Sequence, residues 1–370
     1  PEKSVLQGAA AVDETAGAAP AVAAADPPPP TPEELAAQAR RSALQAQRQA
    51  TRLCERQYHE ATQALRGSEL RALSEPEAAR EDTEALTRAL VDKMMVDGEL
   101  CVRLLTTNAG DRATAHALNV AIVSLLMART MGLTEDELMA LGVGALLHDI
   151  GKLEMPERLR HVDERFTAAE LAAYQEHVAH GVEIGRRMGL ADGAMMVIAQ
   201  HHEYADGTGF PLRLGAERMT AAARIVSIVN RYDNLCNPAV QARALTPHEA
   251  LSLLFAQQRS RFDAPVLNSF IRMMGVYPAG SVVQLTDDRF AMVVSVNSSR
   301  PLKPRVLVHD PQVPRDEALF LDLETVPNLG IRRSLPPAKL PSAAFDYLAP
   351  RPRVHYYFEA VPPTPGLRDD

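Results

Sequence analysis

Cysteine is scarce in this 370-residue chain, and positive charge is outnumbered. Cys54, Cys101 and Cys236 stand far apart with no CxxC pair, which argues against a disulfide framework or a zinc ribbon and suits a reducing compartment. Lys and Arg total 39 against 47 Asp and Glu, a formal net charge of -8. No overall positive field is available to hold a nucleic-acid backbone, so DNA is not an expected partner and any phosphate ligand must be captured by a local site. No apolar run approaches the roughly 18–20 residues of a membrane span. The opening Pro-Glu-Lys lacks the basic-then-apolar plan of a signal peptide. Both features point to a cytoplasmic protein without a membrane span. The chain opens on Pro1 rather than Met, which leaves room for an N-terminal module before it. There is no internal repeat.

What is present divides by composition. Residues 1–32 are rich in Ala and Pro, bury little and read as a disordered linker. Residues 33–105, built from Ala, Gln, Arg, Glu and Leu, read as a helical segment of two or three helices. Such helices suit a homodimer, contact with a signalling protein, or simple packing. Residues 106–278 carry one helix start signal after another. Asp111 is placed to cap a first helix, Thr134 with Glu137 and Thr167 with Glu170 form capping boxes, and Asp192 is placed to cap the helix reaching His201. Thr246-Pro247-His248-Glu249 adds Pro at the first helical position. After Gly275 the period changes to short β-branched runs separated by polar and Pro-rich breaks, which predicts a small antiparallel β module over 279–335. Residues 336–370 read as a Pro-rich tail. The fold class is therefore mainly α, a helical bundle with a small C-terminal antiparallel β module.

Seven of the eleven histidines fall between His116 and His202. His116 lies near the start of one predicted helix and His148-Asp149 at the end of the next; His177 and His180 lie on a third, and His201-His202 at the end of a fourth. A bundle core is a recurrent home for metals held by inward-facing imidazoles and carboxylates. The run Ala145-Leu146-Leu147 carries His148-Asp149 toward the interior, where an ionised Asp must be paired or metal-bound. Adjacent His and Asp then serve one metal or bridge two. An isolated His-Asp pair would equally suit a histidine meeting the negative end of a helix; Gly151, Lys152 and the further histidines downstream favour the metal.

His148-Asp149-Ile150-Gly151-Lys152 resembles the HDxGK signature of HD-domain phosphohydrolases. His201-His202-Glu203 followed by Asp206-Gly207-Thr208-Gly209-Phe210-Pro211 resembles the HHE…DGxGYP signature of the HD-GYP branch. The resemblance covers about residues 105–275. It implies hydrolysis of cyclic di-GMP to pGpG or GMP by a metal-bound hydroxide, at a site of two or three divalent ions, usually iron or manganese. It implies His116, His148, Asp149, His177, His201, His202 and the residue at Asn230 as metal ligands, with Asp149 as the bridge and Lys152 neutralising a phosphate oxygen or the leaving group. His180 falls on a variable position and is read as a bystander, as are His309 and His355. Gly207, Gly209, Phe210 and Pro211 would shape the substrate pocket, with Phe210 stacking on a guanine.

The sequence departs from the family at named positions. Asn230 stands where an Asp ligand is expected, and a neutral amide oxygen is a weaker donor. Ala239-Val240-Gln241-Ala242 replaces a basic stretch, leaving Arg243 as the nearby phosphate contact. Phe210 lacks the tyrosine hydroxyl, and Arg112 stands where a three-metal member carries Glu, so two metals are expected rather than three. The alternative is a degenerate HD-GYP module that binds nucleotide or a partner protein without turnover.

Overall fold

The computed structural model describes residues 30–96, 98–105, 111–162 and 164–360. The expected linker up to residue 29 and the last ten residues of the expected tail lie outside them. Residues 1–42 form one unit and 43–370 the other. The described part of the first is the opening of helix α1, and all later elements belong to the second.

Helix α1 (Pro32–Arg71) buries Cys54, Tyr58, Ala61 and Leu65, and α2 (Pro76–Met94) buries Ala79, Leu90, Val91 and Met94. Then come α3 (Arg112–Thr130), α4 (Glu135–Leu146), α5 (Ala168–Gln175), α6 (His177–Met188), α7 (Asp192–Gln200), α8 (Ala221–Cys236), α9 (Pro247–Gln257) and α10 (Ala264–Met274). Asp111 caps α3 by accepting from Ala113 N and Thr114 N. Thr134, Thr167 and Thr246 each form a capping box with the Glu three residues on. Asp192 does not cap α7: it is the first helical residue, where its charge still meets the positive end of the helix.

Helix α3 lies at the centre. It is buried from Thr114 to Ala128, on every face. Among the described residues it is the one helix long and apolar enough to cross a membrane by length and composition, and its all-round apolarity is accounted for by neighbours packed on all sides. Each fully buried Leu there contributes roughly 1.5–3 kcal/mol relative to exposure.

The sheet departs from the expected contiguous module. Strand β1 (Leu100–Leu104), which precedes the helical bundle in sequence, pairs antiparallel with both β3 (Phe290–Asn297) and β7 (Tyr356–Ala360). β3 also pairs with β2 (Val282–Leu285) and β4 (Arg305–Val308); β4 pairs with β5 (Leu321–Asp322), and β2 with β6 (Ile331–Ser334). Alternation along β3 sends Met292 and Val294 into the core shared with the helices and Ala291 and Val293 into a second core.

Residues 336–360 are not the expected tail. They hold α11 (Ser342–Leu348) and β7, with Leu348, Tyr356, Tyr357 and Phe358 in the main core. The prolines that suggested a tail, Pro336, Pro337, Pro341, Pro350 and Pro352, sit outside these elements, where a missing N–H costs no ladder bond.

Candidate metal centre

The turn after α4 presents His148 and Asp149 to the interior, and packing of glycine on glycine determines what faces them. A Cβ on Gly151 would lie 2.0 Å from the His177 carbonyl oxygen and 2.4 Å from Gly181 N. Only glycine permits this turn to press onto α6, and that contact brings His177 to Asp149.

Four histidines have their tautomer fixed by what Nδ1 touches. Nδ1 of His148 donates to the Ala145 carbonyl at 2.7 Å, that of His177 to Tyr174 at 2.6 Å, and that of His201 to Ile198 at 2.8 Å. Nδ1 of His116 donates to Asp233 Oδ2 at 2.6 Å. Each Nε2 is therefore left with a lone pair. Yet His116 Nε2 and His148 Nε2 are 3.2 Å apart, and His177 Nε2 and His201 Nε2 are 3.4 Å apart. Two acceptors have no reason to approach so closely on their own account. Two nitrogens on a common ion at ~2.1 Å are about 3.0–3.4 Å apart.

Asp149 lies between the two groups. Its Oδ2 is 3.8 Å from His116 Nε2 and 3.5 Å from His148 Nε2; its Oδ1 is 3.5 Å from His177 Nε2 and 3.7 Å from His201 Nε2. His116, His148 and Asp149 make one set of converging donors, and Asp149, His177, His201 and His202 the other. Asp149 Oδ1 and His202 Nε2 are buried without a hydrogen-bond partner, a costly arrangement that a cation relieves. The residues present fit two divalent ions sharing one carboxylate.

Electrostatics keep these donors in their ligating forms. Burial pushes the His177 imidazole down to about 3 and lowers His201 and, further, His202, so the rings are neutral. Burial would raise the Asp149 carboxyl, but the Lys152 ammonium beside it holds it well below the usual carboxylate range. Burial likewise opposes the charge on Lys152, and Asp149, 2.6 Å from its Nζ, more than restores it.

A cavity of ≈ 600 Å³ opens over the donors, walled in part by Arg112, Lys152, Arg160, His161, Tyr174 and Phe210. Phe210 lies on the His202 ring, centroids 4.4 Å apart and 22° from parallel. Its neighbours act on the loop rather than the cavity. Gly207 holds a left-handed φ of 73°, and a Cβ on Gly209 would meet backbone atoms of residues 202, 203 and 204 at 2.5 Å. Gly209 thus lets the loop lie on the His-His-Glu segment, and neither glycine nor Pro211 is among the cavity-lining residues. Glu203 ties the same loop down, its carboxylate accepting from Leu212 N at 2.6 Å and Leu214 N at 2.9 Å.

Arg243 pairs with Glu164 at 2.9 Å and does not line the cavity. Asn230 lines it, but its amide oxygen accepts from Asn234 Nδ2 at 2.7 Å. His180 is half-exposed and faces Glu154 at 3.2 Å, away from the donors. Sequence reasoning missed Asp233, three residues past Asn230 on α8, which orients His116. It also missed His161, and noted Arg112 only as a departure at a metal position; the two hydrogen-bond each other on the cavity wall. The clustering of histidines was the available signal for His161; Asp233 had none, because its partner lies 117 residues away.

The family model described as an HD domain matches residues 99–266. A cyclic di-GMP phosphodiesterase of Pseudomonas aeruginosa is 27% identical over 208 residues, 56% of this chain and 50% of that protein. A 3'3'-cGAMP-specific phosphodiesterase of Vibrio cholerae is 32% identical over 178 residues, 47% of this chain and 34% of that protein. A cyclic di-GMP phosphodiesterase response regulator of Xanthomonas campestris pv. campestris is 30% identical over 152 residues, 40% of each. The chain spans half or less of the length of these relatives. Residues 99–266 match the HD-domain family, and the His-Asp pair, the double histidine and the glycine-phenylalanine-proline loop that resemble the HD-GYP branch all lie within them.

Proposed function

We propose that this protein is a metal-dependent phosphodiesterase that opens a cyclic dinucleotide, cyclic di-GMP foremost, to the linear pGpG or to GMP. The observation that carries the reading is Asp149, one carboxylate whose two oxygens face two separate groups of histidines. His116 and His148 would hold one ion, His177, His201 and His202 the other, and an imidazole-carboxylate set of this kind suits iron or manganese. When bound, such ions supply positive charge to a phosphoryl group and lower the pKa of water beside it.

The protein's own side chains supply charge and orientation. Lys152, cationic and set in the cavity wall, is placed to neutralise a phosphate oxygen. Arg112 and Arg160 add positive charge to the same wall, a substitute for the basic stretch absent after α8. Phe210, steadied by His202, offers a ring face to a purine. The names of the relatives support the substrate class.

The second reading, a module that binds nucleotide or a partner protein without turnover, is favoured by Asn230. It contributes no charge, and Asn234 already occupies its oxygen. Metal content after anaerobic purification, measured together with cyclic di-GMP turnover in iron or manganese, separates the two. The expected result is about two ions per chain with product formation, both lost in Asp149→Ala. Full loading without turnover, or no metal at all, supports the binding module.

A further inference from the structure

Behind His116 lies a buried polar network that reaches the C-terminal strand. Asp233, whose Oδ2 accepts from His116, receives two further hydrogen bonds on Oδ1, from Asn119 Nδ2 at 2.8 Å and from Asn237 Nδ2 at 2.9 Å. Both amides also donate to the Val354 carbonyl, at 3.0 Å and 2.9 Å. In return Val354 N donates to Asn237 Oδ1 at 2.9 Å, and Tyr356 N donates to Asn119 Oδ1 at 3.1 Å. Tyr58 of α1 closes the far end, its hydroxyl 3.4 Å from both Asn119 Oδ1 and His355 Nδ1. Asn119, Asp233, Asn237 and His355 are all buried. Every donor and acceptor of the two side-chain amides is used, so neither Asn can turn without leaving buried groups unpaired.

We propose that residues 354–356 are a working part of the metal centre. They fix Asn119 and Asn237, these two fix Asp233, and Asp233 fixes the ring and tautomer of His116. Asn119, Asn237 and Asp233 are positioning residues. The consequence is asymmetric. The His116–His148–Asp149 donor group depends on the C-terminal strand through His116; in the other group His177 and His201 are held by the Tyr174 and Ile198 carbonyls, each three residues earlier in the chain, and do not. Displacing residues 354–356 therefore unloads one ion and spares the other, which gives the sheet a means of setting the occupancy of the centre. The inference rests on the two-ion reading of the site.

The test titrates metal-free full-length protein with manganese alone, comparing wild type with Asn237→Ala and Val354→Pro and using His116→Ala as the reference for loss of the first group. Val354→Pro removes one backbone donor and leaves every network side chain in place. In both variants one ion is expected to bind as in wild type and the other ~10–100-fold more weakly, matching the pattern of His116→Ala, while the metal-free proteins still melt cooperatively. Wild-type binding of both ions in both variants overturns the proposal. So does equal weakening of both ions, or unfolding of both variants, since either makes the network a matter of folding only. A wild-type protein that takes up no manganese overturns the metal-centre reading itself, and this inference with it.

Discussion

Glu69, on the last turn of α1, lines the cavity close to the metal donors, and burial pushes its carboxyl up to about 7. Its one side-chain hydrogen bond comes from Thr114 Oγ1 at 2.9 Å. A carboxyl with a raised folded pKa binds more protons folded than unfolded between about 4.5 and 7, so its contribution to stability declines as pH rises through that window. Glu69→Gln keeps an oxygen for Thr114 and removes the ionisation. Thermal melts of the metal-free protein should show the variant about 2–4 °C more stable than wild type at pH 8 and indistinguishable at pH 5. A difference independent of pH would mean that Glu69 is not held protonated by its surroundings. Nothing in the local sequence marks this residue, since a glutamate on an Ala/Arg-rich helix reads as solvated. Asp149, by contrast, was legible, because the apolar run before it and the glycine after it leave few other uses for a His-Asp pair.

At the scale of elements, the two signature loops owe their positions to glycines that cannot carry a side chain. Gly151 seats the His148-Asp149 turn on α6, and Gly209 seats the Phe210 loop on the backbone of residues 202–204. In Gly209→Ala the new Cβ meets three backbone atoms, and backbone cannot swing aside as a side-chain tip can, so the loop must lift. The expected cost is ~1–3 kcal/mol, with the Phe210–His202 stacking lost. A raised KM for cyclic dinucleotide and an unchanged metal content would check this; metal loss would show instead that the loop supports the donors. The sequence marked both glycines and gave other reasons for them, Gly151 as part of the His-Asp signature and Gly209 as shaping the substrate pocket. Their partners are backbone atoms of other segments, and no local pattern records those.

At the scale of the whole molecule, the sheet ties together parts of the chain that composition had set apart. β1 sits between β3 and β7, so the strand before the helical bundle is paired with strands that come after it. A chain ending at residue 335, which a reading of 336–370 as a tail would leave unharmed, removes Tyr356, Tyr357 and Phe358 from the main core and leaves one edge of β1 bare. Each aromatic lost is worth ~3–5 kcal/mol, which together is comparable to the whole stability of a domain. The truncated protein is expected to lose its cooperative thermal transition. A sharp melt near that of the full chain would show the helical region to be self-sufficient.

The sequence by itself determined the helices of the bundle, most of their caps and the residue types of the candidate metal centre, because capping, periodicity and ligand chemistry are written in neighbouring residues. It also carried the resemblance to HD-domain phosphohydrolases, through motifs whose members lie within a few positions of one another. Tertiary structure alone decided that Asp149 faces two histidine groups at once and that Asp233 orients His116. It alone decided that residues 354–356 stand behind them. Those facts depend on segments up to 237 residues apart meeting in the core, where each buried polar group must find a partner wherever the fold supplies one.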